Sequence, residues 1–202
     1  MDMELEDGSE LVRFARYAIK SYLEGKSKEE ILSETDKELD RFNRNSGVFV
    51  TLDTYPKKEL RGCIGYPEPI YPLNRALVLS AISAATEDPR FPSLSKRELD
   101  SILVEVTVLT SPEKIEYKDP EDLVKKIQIG KDGLIAEKGI FRGLLLPQVP
   151  IEWKWNSEEF LSHTCQKAGL PTDEWKKGNV LFYKFQGEIF SEIGPDGKIE
   201  EH

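Results

Sequence analysis

The chain is poor in the residues that build most reaction centres. Its 202 residues include two cysteines and two histidines. Cys63 and Cys165 stand far apart and form no C-x-x-C pair, which excludes a zinc ribbon or a redox dithiol. Two isolated thiols suit a reducing compartment, so the sequence predicts a cytoplasmic protein. No apolar run approaches the ~20 residues that cross a bilayer. The first ten residues are acidic and polar, unlike a secretory leader. Positive charge is scarce too: 28 Lys and Arg against 37 Asp and Glu give −9. That balance argues against binding along a phosphate backbone, so neither a nucleic acid nor a membrane is expected as a partner. Gly130-Lys131-Asp132-Gly133 has glycines and a lysine but no following G-K-[ST] and no helix, so it is not a phosphate loop. With no ligand cluster and no phosphate loop, neither a metal nor a cofactor is expected.

What is present describes a globular α+β protein with a sizeable core, 39% hydrophobic and 32% charged. Its many Lys and Glu residues resemble thermophile composition. Leu11, Val12, Ala15, Ala18, Ile19, Tyr22 and Leu23 recur at helical spacing between Ser9, read as the N-cap, and Gly25. Ser27 and Glu30 form a capping-box pair. Residues 47–52 and 60–65 read as the arms of a hairpin around a loop containing Tyr55-Pro56. Residues 73–86 form a helix with small residues along one side. Residues 102–109, Ile-Leu-Val-Glu-Val-Thr-Val-Leu, form the strongest strand, apolar on both faces as in the centre of a sheet. Beyond Pro112 the pattern predicts a short helix from 120, a three-stranded meander over residues 127–146 and an extended Trp153/Trp155 segment. A helix capped by Ser157 and one long closing strand over residues 179–190 follow. The expected division is 1–112 and 113–202.

The segment of most chemical interest is Leu60-Arg61-Gly62-Cys63-Ile64-Gly65. Glycines on either side of Cys63 let the backbone bend or approach another group closely. Strand alternation puts Arg61 and Cys63 on one face, and a neighbouring cation favours thiolate. The competing reading is a buried structural cysteine, since free Cys is among the most buried residue types. Asp88-Pro89-Arg90-Phe91-Pro92 places Arg90 on a stiffened loop, either clamping an anion or satisfying helix-end carbonyls. Glu105 interrupts the apolar strand, where a carboxylate is costly unless paired. Arg61 or Arg90 would be its partner in a structural ion pair; otherwise it is a base beside Cys63. His163 is a further candidate base.

In order along the chain, the hexapeptide, Asp88-Pro89-Arg90-Phe91, Leu145-Leu146-Pro147-Gln148-Val149 and the tryptophan segment leading to Lys167-Ala168-Gly169-Leu170 resemble the AMMECR family. That family is named for the Alport syndrome, mental retardation, midface hypoplasia and elliptocytosis chromosomal region. The last two stretches are similar to its archaeal branch. The resemblance implies an α+β protein with a mostly antiparallel sheet and flanking helices. It implies two unequal subdomains and a cleft lined by the hexapeptide. It also implies a pathway shared with Memo-type or radical-SAM-type proteins, but no settled activity. Two functions are therefore open. One is an enzyme with Cys63 as nucleophile, Glu105 or His163 as base, and a small, anionic substrate held by Arg61, Gly62, Ile64, Gly65, Arg90 and Gln148. The other is a non-catalytic interaction or regulatory module that uses the same surface.

Overall fold

A computed structural model describes residues 3–202. It divides into two compact units, 1–109 with 188–202 and 110–187. The chain therefore crosses between units twice, where the sequence suggested one boundary near residue 112.

In the first unit, α1 (Leu5–Leu23) and α2 (Lys28–Glu38) precede the hairpin β1 (Val48–Thr54) and β2 (Leu60–Tyr66). Then come α3 (Leu73–Thr86) and β3 (Ile102–Leu109). Helix α1 starts four residues before Ser9, with Glu4 as its N-cap. Ser9 is therefore interior to the helix. Its acidic first turn, Glu6 and Asp7, favours the earlier start by complementing the helix dipole. The Ser27/Glu30 capping box forms at the head of α2.

Five strands make the sheet of this unit in the order β2-β1-β3-β8-β9. The last two are β8 (Gly187–Glu192) and β9 (Ile199–Glu201). β1 is antiparallel to both β2 and β3. One sheet face carries Val48, Val50, Leu52, Val104, Val106 and Val108, all buried. Helices α1 and α3 pack against these strands through Leu11, Val12, Ala15, Ala18, Leu77, Ala81 and Ala84. Burying each large aliphatic chain there contributes roughly 1.5–3 kcal/mol. α3 comes so close that a Cβ on Gly62 would overlap the Ala84 carbonyl oxygen. The small residues of α3 and the glycine of β2 thus serve one contact.

A buried ion pair anchors the returning C-terminal strand. Arg16 of α1 donates from Nε to Glu192 of β8 at 2.5 Å and from Nη2 to the Ile102 carbonyl at 2.8 Å. Glu192 also accepts the Val104 N–H at 2.9 Å. With both charges nearly sealed from water, every remaining lone pair and proton needs such a partner.

In the second unit, α4 (Pro120–Lys125), α5 (Gln148–Glu152) and α6 (Ser157–Lys167) accompany a sheet ordered β4-β7-β5-β6. Its strands are β4 (Glu113–Lys114), β5 (Gly133–Lys138), β6 (Phe141–Leu145) and β7 (Leu181–Phe185). Four sequence expectations are corrected here. Residues 127–130 form no strand: the buried Asp132 carboxylate accepts the Gln128 N–H at 2.8 Å and bends the chain into a turn. The second neighbour of β5 is instead β7. The long strand expected over 179–190 is two strands in different sheets, separated at Gln186. The tryptophan segment is not extended, because α5 occupies residues 148–152 and Lys154 adopts φ 57°. The N-cap of α6 is Asn156 rather than Ser157, in a reciprocal box with Glu159. The core of this unit joins Leu123, Leu134, Phe160, Leu161, Cys165, Trp175 and Phe182.

The close approach at Gly62 yields a stability prediction. Gly62→Ala should destabilise the protein by roughly 2–3 kcal/mol. Gly194→Ala, where an added Cβ meets nothing within 4 Å, should stay within ~0.5 kcal/mol. Urea unfolding followed by circular dichroism compares the two.

Candidate functional site

The hexapeptide is strand β2, at the edge of the first sheet. Its register settles what each residue faces. Cys63 lies opposite Thr51 of β1, and Thr51 lies opposite Glu105 of β3. Directly opposed residues share a face, so Cys63, Thr51 and Glu105 form one row across three strands. Two residues along β1 on that face is Asp53, and two residues back is Phe49. This is the face away from α1 and α3, and Thr51, Asp53, Cys63 and Glu105 are half-buried on it. Gly62 and Ile64 point the other way; Gly62 meets α3 and Ile64 packs on the core. Gly65 returns to the polar face, where a side chain would overlap the Phe49 ring and the Val48 carbonyl oxygen. Two residues of the motif thus serve packing on the helix side, and Gly65 makes room for a ring.

An edge strand must satisfy its outward backbone groups. At Cys63 the Asp88-Pro89-Arg90-Phe91 loop does this. The buried Asp88 carboxylate accepts the Cys63 N–H at 2.8 Å. It also accepts the Arg90 N–H at 3.1 Å and the Arg90 guanidinium at 3.0 and 2.8 Å. Arg90 Nη2 donates in turn to the Cys63 carbonyl at 3.3 Å. Side chains of the loop therefore stand where the next strand would be. Arg90, and then the two N–H groups, hold the Asp88 carboxyl well below the usual carboxylate range.

This geometry reassigns the arginines. Arg61 donates from Nε to Glu98 at 3.0 Å and is 12% exposed. Glu98 is itself fixed by the Ser95 backbone and hydroxyl at 2.8 and 2.9 Å. Phe91 lies between the two guanidiniums, 6.0 Å from Arg61 and 5.5 Å from Arg90. Neither arginine pairs with Glu105, contrary to the partnership expected from the sequence. Arg61 is held instead by Glu98, 37 residues further on, and Arg90 by Asp88 of its own loop.

The polar row is consequently acidic and neutral-leaning rather than cationic. Burial pushes the Cys63 thiol up from its ordinary pKa, and Glu105 and Asp88 add to this. A hydrogen bond from Thr51 Oγ1 to Cys63 Sγ at 3.3 Å and the charge of Arg90 oppose the shift only in part. Burial likewise raises Glu105, helped by the negative charge of Asp53 and opposed by His202 and Lys58. Asp53 is raised by burial, against Lys58. His202 is held beside this region by Ser191, whose Oγ lies 2.6 Å from its Nε2. The proximity of Arg61 predicted a lowered thiol pKa. The structure gives the reverse, because Arg61 is spent on Glu98 and burial dominates.

Gln148 and His163 belong to the second unit. Gln148 is exposed at the start of α5. The His163 ring stacks on Trp155 with centroids 3.8 Å apart, and its Nδ1 lies 3.2 Å from Gln166 Oε1. Cys165 is fully buried, and its thiol is pushed up to about 11 by desolvation. Among the described residues no three His, Cys, Asp or Glu side chains are placed to hold a metal. Nor is any helix among them long and apolar enough to cross a membrane.

Sequence reading missed Thr51, Asp53, Asp88 and His202. Thr51 and Asp53 were within reach: once residues 47–52 and 60–65 are a hairpin, alternation puts them on the Cys63 face. Asp88 and His202 gave no signal of their place here, because Asp88 reaches Cys63 across 25 positions and His202 is positioned by Ser191 of another strand.

A family model described as AMMECR1 matches residues 12–190. Protein MJ0810 of Methanocaldococcus jannaschii is 53% identical over 199 residues, covering 98% of this chain and 96% of that protein. Protein MK0488 of Methanopyrus kandleri is 50% identical, covering 98% and 95%. The crystal structure of uncharacterized protein PH0010 from Pyrococcus horikoshii is 51% identical, with a TM-score of 0.74 over 96% of both chains.

The raised carboxyl pKa values make a signed prediction. A carboxyl that holds its proton more tightly when folded costs stability as pH rises from its unfolded pKa, about 4.3 for Glu, through its folded one. Glu105→Gln should therefore stabilise the protein near pH 8 relative to wild type, and the gain should shrink near pH 4. Asp88→Asn should do the opposite: its depressed carboxyl adds stability above about pH 4, which the variant loses. Urea midpoints across this pH range check both.

Proposed function

The chain belongs to the AMMECR1 family, and we propose that it is a ligand-binding module. The polar face of the five-stranded sheet takes a small molecule that offers hydrogen-bond donors or positive charge. Thr51, Asp53 and Glu105 contact it, and Cys63 lies beside it as a neutral thiol. One observation carries this reading. Both arginines that an anion would need are already held by carboxylates, Arg61 by Glu98 and Arg90 by Asp88. The face then carries the Asp53 and Glu105 carboxyls and the Cys63 thiol, with Lys58 and His202 close enough to act on the carboxyls. A desolvated carboxylate is costly when empty, and a donor or cation placed against it recovers that cost. The small anion expected from the sequence has no such welcome here.

A second reading has its own support. Thr51 donates to the Cys63 sulfur, and the same row ends at Glu105, a carboxyl whose pKa burial raises. A thiol, a hydroxyl and a base of that kind in line are the parts of a cysteine-dependent enzyme. A pathway shared with Memo-type or radical-SAM-type proteins belongs with this reading, because a turnover needs a supplier and a consumer.

The thiol distinguishes the two. Under the binding reading, iodoacetamide should alkylate Cys63 at neutral pH several-fold more slowly than a free cysteine, since only thiolate reacts. Cys63→Ser supplies the baseline and removes any contribution from buried Cys165. A rate above that of free cysteine would favour the enzyme. In thermal-shift titrations putrescine should stabilise the wild type, and Glu105→Gln should abolish that effect. Stabilisation by succinate that depends on Arg90 would overturn the proposal.

A further inference from the structure

The second unit carries a feature that neither reading uses. Three rings form a column: His163 lies on Trp155 with centroids 3.8 Å apart and planes 10° apart, and Trp155 faces Trp153 at 6.0 Å and 19°. Trp155 is partly buried against the core of the unit. Trp153 is 68% exposed. The column therefore runs from the surface of α6 outward and ends in an indole that water covers.

Its construction is specific. Residues two positions apart on a helical turn do not face the same way. Here Trp153 and Trp155 do, because Lys154 between them takes φ 57°. That left-handed conformation is uncommon for a residue with a Cβ and persists only where its surroundings enforce it. They do so here: the Trp153, Lys154 and Trp155 amides return to the Val149, Ile151 and Pro150 carbonyls at 3.1, 3.1 and 2.8 Å. At the other end Gln166 fixes the His163 ring at 3.2 Å. Ile151, itself exposed, sits over Gly130. A strained residue and two sets of hydrogen bonds thus hold in register a stack whose last ring, Trp153, stays largely open to water.

We propose that Trp153 is the stacking platform of a binding site for a small molecule with a planar cationic or electron-poor ring. An indole presents a π-electron-rich face. It attracts a cation more strongly than the other aromatic side chains do, and it favours offset stacking with a ring of opposite polarity. The acidic balance of the chain, −9, works in the same direction and against a polyanionic strand. The parallel planes of the column define how the ligand ring lies: as a fourth layer, continuing the order His163, Trp155, Trp153. This site is independent of the sheet face in the first unit and stands or falls separately.

Indole N–H resonances in a nitrogen-labelled sample test it, because the chain has three tryptophans. Trp175 is buried, with its Nε1 donating to Ser162 at 3.0 Å, and so serves as an internal fold reference. N-methylpyridinium should shift the Trp153 resonance saturably in the millimolar range and leave Trp175 in place. Pyrazine, a neutral planar ring, should bind more weakly. Tetramethylammonium, a cation with no ring, should bind more weakly still. Trp153→Ala should weaken N-methylpyridinium by about tenfold, read on the Trp155 resonance. Trp153→Phe should restore part of the loss. An unmoved Trp153 resonance across that range would overturn the proposal. So would equal binding of tetramethylammonium, or an unchanged affinity in Trp153→Ala with Trp175 undisturbed.

Discussion

The edge of the first sheet is the constraint on which the candidate site depends. At Cys63 strand β2 turns an N–H and a C=O away from its only partner strand, and buried backbone groups of that kind have to be paired. Asp88 takes the N–H, Arg90 takes the C=O, and the two side chains bind each other through a bidentate contact. A single acid and a single base thereby replace a missing strand. The arrangement leaves Cys63 and Thr51 as a pair whose side chains approach closely, consistent with the 3.3 Å contact between Thr51 Oγ1 and the sulfur.

That constraint decides the electrostatics of the face. An arginine committed to closing a sheet edge is not free to hold a substrate, and Arg61 is committed in the same way to Glu98. With both arginines held by carboxylates, burial is the largest influence on Cys63, Glu105 and Asp53, outweighing Lys58 and His202, and it shifts all three toward their neutral forms. A motif that reads as a primed cysteine beside arginines becomes a row of neutral-leaning donors and acceptors. The glycines of the same motif are accounted for by contact: Gly62 by the Ala84 carbonyl and Gly65 by Phe49.

The second unit is built on different means. Its sheet is narrower, its core gathers around Phe160, Phe182 and Trp175, and its turns rely on buried side-chain acceptors such as Asp132. There His163 is absorbed into an aromatic column rather than aimed at a thiol. A histidine stacked flat on an indole is fixed in orientation, which suits a platform better than a proton shuttle that must turn toward its partner.

Periodicity and capping were enough for α3, β3 and α4, whose observed spans agree with the residues that carry the 3.6- and 2-residue patterns. The capping box of α2 was equally local, since Ser27 and Glu30 cap each other across three positions. The AMMECR1 membership was also legible, because its motifs are short runs read in order. Alternation failed at Arg61, because the register between β1 and β2 shifts there: Leu52 pairs with Gly62 and Asp53 with Leu60. Local pattern failed where a side chain far along the chain decided the outcome. Asp132, whose carboxylate also accepts from Gln186, 54 positions on, turns an apolar run at Gln128, and Gln186 marks where one apparent strand enters two sheets. Glu192 reaches Arg16 across 176 positions. The charge state of Cys63 falls in this second group. The sequence offered Arg61 as the neighbouring cation, but the charge that acts on the thiol is Arg90, and folding pairs both arginines with Glu98 and Asp88. Coulomb interactions fall off with distance in space, not along the chain. Only the tertiary structure could say which charges face the thiol.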